Sequence, residues 1–399
     1  MVASKQMIEK IKQCAENIVN CVNIKTNDCV FIKGGIYCQE LLEEVALTVY
    51  RKGGMPHITS SSDNYSEQVY KDDSITVETL EKTPKHLLKM IENIDAYIVI
   101  EPNEDPSIQN QFSREKLHAS SKASSPIKDI LYGSKKEYEP GKRWVYAGWP
   151  SKKAARYYNI DYALFEQFII DGMSVPATEL METTNSLGKL FENAKIVHVS
   201  DDLGTDFWLS IENRRINYDA GVLTEQMIEE GDLGGNLPAG EIFIAPVETV
   251  GEGTIFCPLT NDRYSNKILK NVELNFKDGK LLIDKVTADN DVNDLLSSFE
   301  QCEEIDKNNE NIPEIRTYNV AELGVGCNPM ITKAIGYILT DEKITGSVHM
   351  AFGSNKMYGG TSISQMHWDF VSDPHATISV EYLDGSKKSI MENGKIIRD

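Results

Sequence analysis

Apolar positions in the first third of the chain switch repeatedly between two periods. Ile8, Ile11, Ile18 and Val22 mark one face of an opening helix. Cys29-Val-Phe-Ile32 is a short β-branched run that ends at Gly34-Gly35. Leu41, Leu42, Val45 and Val49 return to helical spacing, and Gly53-Gly54 stops that helix. Extended patterns recur at Pro56 to Thr59 and at Ala96-Tyr-Ile-Val-Ile100, the latter an unbroken apolar run of the kind a strand covered on both faces carries. This rhythm predicts parallel strands with helices packed on them. Gly34-Gly35 matches neither GxGxxG nor GxxxxGK[ST], so it reads as a strand-to-helix turn. Residues 102 to 130 are rich in Ser, Asn, Pro and Lys, and Ser120-Ser-Lys-Ala-Ser-Ser-Pro126 predicts a surface loop able to cover a site entrance. Trp144 to Trp149 predicts a further strand of the same sheet. Helices are expected over Asp161 to Met173 and Thr178 to Asn193.

Beyond about residue 194 the rhythm changes. Lys195 to Val199, Asp206 to Ile211, Glu241 to Ala245, Thr254 to Phe256, Val272 to Phe276 and Lys280 to Ile283 are short strand patterns with turns between them. One helical pattern, Ala288 to Glu304, interrupts them. The expected architecture is an α/β N-terminal domain with a mostly parallel sheet over 1–194, followed by a mostly antiparallel, β-rich α+β catalytic domain over 195–399.

Composition narrows the function. The 399 residues carry 41 Lys plus Arg against 61 Asp plus Glu, a net charge of −20. Such a surface repels nucleic-acid phosphates and anionic membranes, so neither is an expected partner. No apolar run of about 18 residues is present to span a bilayer, and no run of about 7–15 apolar residues near the start resembles a signal peptide. Seven cysteines, an odd count without CxxC, predict reduced thiols and a cytoplasmic location. Cys14, Cys21, Cys29 and Cys38 have spacings that match no zinc module.

Histidines concentrate the chemistry. Three of the seven lie in the last 51 residues. In a strand, His367 and Asp369 point one way while Met366, Trp368 and Phe370 point the other. The same alternation puts His349 beside Ser347 and Ala351, opposite Val348, Met350 and Phe352. Glu241 opens an apolar strand, and Glu322 is flanked by apolar residues. A carboxylate in such a setting is costly unless it is paired or holds a cation.

Taken in order, NLPAGEIFIAPVE (236–248), AELGVGCNP (321–329), GSVHMAFG (346–353) and HWD (367–369), with GTDF at 204–207, resemble the thermophilic metallo-aminopeptidase family of aminopeptidase T, S and II type. The resemblance implies two divalent metal ions per chain (zinc, cobalt or manganese), held by Glu241, Glu322, His349, His367 and Asp369. It implies peptide substrates with a free N-terminus and a homodimer. One departure concerns the Tyr that follows the first ligand His. Here it falls on Tyr358, at longer spacing, in a Tyr-Gly-Gly segment that leans towards a less characterised, leucyl aminopeptidase-like branch. Tyr358 and, as general base, Glu322 are the expected catalytic residues. Three carboxylates and two imidazoles suit borderline cations, and a bridged pair can activate water and polarise a peptide carbonyl. HExxH and GxSxG are absent, which removes the thermolysin-type helix and the nucleophile elbow. Two alternatives stand beside this reading. One is a mononuclear Fe(II) ring-cleaving dioxygenase of the dihydroxypyridine type using His349, His367 and Asp369. The other is a metal- or peptide-binding protein without turnover.

Overall fold

A computed structural model describes residues 5–397 except 263, 266 and 311. The chain divides into two compact units, Met1–Ala177 with Gly221–Ala239, and Thr178–Ala220 with Gly240–Asp399. The change of rhythm suggests one crossing near 194, whereas the contacts divide the chain at three places.

The first unit is the expected α/β layer. Its sheet is parallel throughout, in the order Met55–Ser61, Cys29–Gly35, Ala96–Ile100, Arg143–Ala147, Gly234–Leu237. Phe31 packs on one side with Ile91, Ile130 and Leu131 from helices and with Ile94 just beyond one of them. Gly34, on the other face, lies against Leu42 of helix Gln39–Arg51. The opening helix, Lys5–Asn20, buries Ile11 and Ile18 but leaves Ile8 exposed, contrary to its place on the apolar face.

Two sequence expectations need correction. The Ser-rich stretch does not form an irregular loop from end to end: Arg114–Leu131 is a helix. It buries Ala119, Ala123, Ile130 and Leu131, so small side chains do the packing that long apolar ones usually do. The Ser124 hydroxyl donates to the Ser120 carbonyl, 2.9 Å away, which satisfies it inside the helix. Likewise the stretch between the expected strands Asp206 to Ile211 and Glu241 to Ala245, read as turn, contains a strand, Gly234–Leu237, whose extended form comes from pairing with Arg143–Ala147.

The second unit is antiparallel. Among the described residues one sheet has eight strands, Lys280–Leu281, Lys267–Lys277, Gly251–Asp262, Asp206–Ser210, Ala194–Ser200, Thr377–Tyr382, Lys387–Glu392 and Lys395–Ile396 in spatial order. The other has five, His367–Val371, Val348–Gly353, Val320–Gly326, Glu241–Ile244 and Ile216–Asp219. One core joins them. Val197, Leu209, Ile255 and Leu274 meet Ile242, Leu323, Met350 and Phe370, with Phe299 from helix Val292–Lys307. This burial commits one face of the five-stranded sheet and leaves the other for chemistry.

Candidate metal centre

Strand alternation sorts the five-stranded sheet into two faces. Ile242, Ile244, Leu323, Val325, Val348, Met350, Phe352, Trp368 and Phe370 enter the core. The remaining positions share the opposite face. Ladder register sets Asp219 across from Glu241, Glu241 from Gly326, Gly324 from His349, Ala351 from Asp369 and Gly353 from His367. A register shift between Val320 and Glu322 brings Glu322 opposite Ala351. All five residues expected to hold metal therefore lie on one face of one sheet.

Their side chains converge. Nε2 of His349 is 3.4 Å from Glu322 Oε1 and 3.3 Å from Glu241 Oε2. Nε2 of His367 is 3.5 Å from Glu322 Oε2 and 3.4 Å from Asp369 Oδ2. Glu322 thus offers one oxygen to each imidazole. Neighbouring ligand atoms around a tetrahedral cation, with bonds of about 2.1 Å, lie about 3.4 Å apart. The four separations have that spacing and exceed the usual distance of a strong hydrogen bond. Donor atoms of Glu322, His367 and Asp369 all lie within 4.8 Å of one another. Glu241 Oε2 and His349 Nδ1 are buried and make no hydrogen bond among the described residues. His367 donates from Nδ1 to the Ser354 carbonyl at 2.8 Å, which turns Nε2 towards the carboxylates, ready to ligate a cation once it sheds its proton. The residues fit a divalent cation.

The electrostatics agree. Burial would lower the His349 pKa, but the hydrogen bond to Glu322 and the charge of Glu241 outweigh it and push the imidazole up to about 9. His367 also rises to about 9, against burial, because of Asp369 and then Glu322. The Glu322 carboxyl is raised by burial, with Asp369 adding to the rise. Protons on the imidazoles do here what a cation would do: they offset a cluster of carboxylates.

Tyr358 stands at the edge of the group. Its ring meets Phe243 edge-on at 5.3 Å and lies 5.5 Å from the His367 ring. Burial, and then Glu322 and Asp369, raise its hydroxyl pKa well above the ordinary value, so the proton stays on. The loop carrying it is anchored from below. Asn217 donates to the Tyr358 carbonyl at 3.2 Å and Arg214 to that of Gly359 at 3.2 Å. Buried Glu248 accepts from Thr361 N at 2.6 Å, Asn355 Nδ2 at 3.1 Å and Arg214 at 2.6 Å.

Sequence reading missed several charged groups here. Lys343 is only 1% exposed and pairs with Glu241, with Asp219 at 3.2 Å and with Glu342 at 3.4 Å. The triplet Asp341-Glu342-Lys343 carries no apolar period and looks like a surface turn, so nothing local marks it. All seven cysteines are free and six are buried, and Cys14, Cys21, Cys29 and Cys38 form no metal-holding group among the described residues. No helix of the described residues is long and apolar enough to cross a membrane.

The family described as thermophilic metalloprotease (M29) matches residues 7–396. The chain belongs to that family. As an M29 member it is a metal-dependent peptidase. Among solved structures it resembles wild-type AmpT from Thermus thermophilus, with a TM-score of 0.74 and 16% identity over 99% of this chain and 100% of that one. It also resembles 2,5-dihydroxypyridine dioxygenase from Pseudomonas putida KT2440, with a TM-score of 0.55 and 14% identity over 98% of each chain. Both likenesses concern the fold. No curated protein matches the chain.

Proposed function

We propose that this M29 protein is a cytoplasmic aminopeptidase that releases the N-terminal residue of peptides at a centre of two divalent cations. The observation that carries the reading is the Glu322 carboxylate, one oxygen towards His349 and the other towards His367. A carboxylate so placed would be able to bridge two cations. Glu241 and His349 would hold one, His367 and Asp369 the other. Charge supports cation binding: the carboxyls of Asp219, Glu241, Glu322 and Asp369 outnumber the one Lys343 ammonium among them. Zinc, cobalt and manganese suit this mixture of oxygen and nitrogen donors. When bound, such a pair supplies a nucleophilic water at neutral pH and polarises the scissile carbonyl.

The chain's own residues complete the reaction. As general base, Glu322 would turn one of its two oxygens away from a cation, accept the proton that the attacking water loses and pass it to the leaving amine. Tyr358 keeps its proton and can donate a hydrogen bond to the oxyanion that develops on the carbonyl. The substrate's free α-amine would meet the carboxylate-rich floor, which gives a reason for exopeptidase selectivity. The family resemblance supports a homodimer, and the free cysteines support a reducing compartment.

Dipeptides with free and with N-acetylated amino termini, offered to the metal-loaded protein, test the reading. Release of the first amino acid from the free peptides alone is expected. Equal cleavage of both, or cleavage within longer peptides, would overturn it. The dioxygenase-like fold offers a second arrangement, but Glu241 and Glu322 are in place beside the two His and the Asp, two more carboxylates than a facial triad needs.

A further inference from the structure

Lys343 is a cation built into a site for cations. Its ammonium is buried and its partners are all carboxylates: Glu241, Asp219 at 3.2 Å and Glu342 at 3.4 Å. Backbone geometry puts it there. Gly326 lies across the ladder from Glu241, and a Cβ on Gly326 would come within 2.2 Å of the Ile344 carbonyl and 2.7 Å of the Glu342 carbonyl. Only glycine lets segment 342–344 lie this close to the strand. The Lys343 carbonyl then accepts from Asn328 N at 3.0 Å, which holds the segment down. The ammonium takes Glu241 Oε1 and leaves Oε2 turned to His349 Nε2, 3.3 Å away.

The two cation positions are therefore unequal. Glu322, His367 and Asp369 bring together donors that suit a cation, beside the Tyr358 ring. Around Glu241 and His349 a fixed positive charge already sits on one of the ligand residues. We propose that Lys343 sets the affinity of the Glu241–His349 position and makes it the weaker, exchangeable member of the pair. This rests on the two-cation reading given above. Two effects of Lys343 oppose each other. It orients Glu241 through one charge-assisted hydrogen bond, and losing that costs about ten- to a hundredfold in affinity. It also repels an incoming divalent ion across a few ångströms of protein, an effect of more than about a thousandfold at an effective dielectric constant of about 20. Repulsion wins, so removing the charge tightens the site.

The test titrates metal-stripped full-length protein with Co(II) or Zn(II) against a chelating indicator. Wild type should bind in two resolved steps. In Lys343→Met the weaker step should tighten at least tenfold while the stronger moves much less, and Lys343→Arg, which keeps the charge, should preserve the wild-type gap. If Lys343→Met fails to fold, Lys343→Gln removes the charge while keeping a hydrogen bond to Glu241 and reads the same quantity. A weaker step that loosens, vanishes or stays put in the uncharged variant overturns the proposal and leaves the two-cation reading standing. A wild type that takes up a single ion overturns both.

Discussion

Gly324 lies directly across the antiparallel ladder from His349, and the imidazole fills the space where a side chain on Gly324 would begin. An ideal Cβ there would be 1.9 Å from Nε2 and 2.1 Å from Cε1. The ring is fully buried, with this glycine beside it. A strand interior ordinarily disfavours glycine, so its presence here marks a close approach.

Gly324→Ala should therefore displace the His349 ring without unfolding the sheet. Misplacing a reacting group by about 1 Å costs on the order of 10²-fold in rate. We expect at least that loss of peptidase activity, with fewer metal ions bound per chain and an unchanged far-ultraviolet circular dichroism spectrum. Normal metal content in the variant would contradict this account of the site.

Glu248 should matter for stability and for the loop together. It is 3% exposed and accepts from Thr361 N, Thr361 Oγ1, Asn355 and Arg214. Glu248→Ala leaves a partly buried guanidinium and several donors unpaired, a change that costs about 3–5 kcal/mol in comparable buried pairs. Denaturant unfolding should show a loss of that order. Limited proteolysis should also cut between Ser354 and Ser362 sooner than in wild type.

Tyr358→Phe separates the hydroxyl from the ring. The contacts to Phe243 and His367 involve the ring and should survive. We expect kcat to fall about 10²–10³-fold, as when one oxyanion donor is removed, with KM nearly unchanged and full metal content. A large rise in KM at constant kcat would instead assign Tyr358 to ground-state binding.

The pH dependence of the metal-free protein follows from the two imidazoles. Both sit at about 9 in the folded state against an ordinary value of 6.5. Folded pKa values above the unfolded ones mean that the native state binds more protons. Their stabilisation is then complete below about pH 6.5 and disappears as pH rises through about 9. Chelator-treated protein should melt at a lower temperature at pH 9 than at pH 6.5. Metal loading should shrink that difference and should release protons below pH 9, because each imidazole must shed one to bind. A Tm that is higher at pH 9 in the stripped protein would contradict the assignment.

How much of this could be read in the residues varies from place to place. His349, His367 and Asp369 were legible because period-2 alternation in 347–352 and 366–370 separates polar from apolar positions, and a buried core keeps that register. Glu241 and Glu322 stood out as carboxylates in apolar runs. Lys343 was not legible, since its partner Glu241 is 102 residues away and joins it only through the fold. Helix Arg114–Leu131 was hidden by serines whose hydroxyls can turn back onto the helix, and strand Gly234–Leu237 by glycines that extend only when a neighbour pairs with them. Local composition misleads where long-range pairing supplies the missing free energy.

Metal content per chain is the most direct test of the central claim. The protein would be stripped, reloaded with zinc, cobalt, manganese or iron(II) and counted, alongside Glu322→Ala. About two ions per chain in wild type, with dipeptide hydrolysis that tracks loading, is the predicted result. Glu322→Ala should bind fewer and hydrolyse nothing. A single ion per wild-type chain, iron supporting oxygen uptake without hydrolysis, would contradict the account.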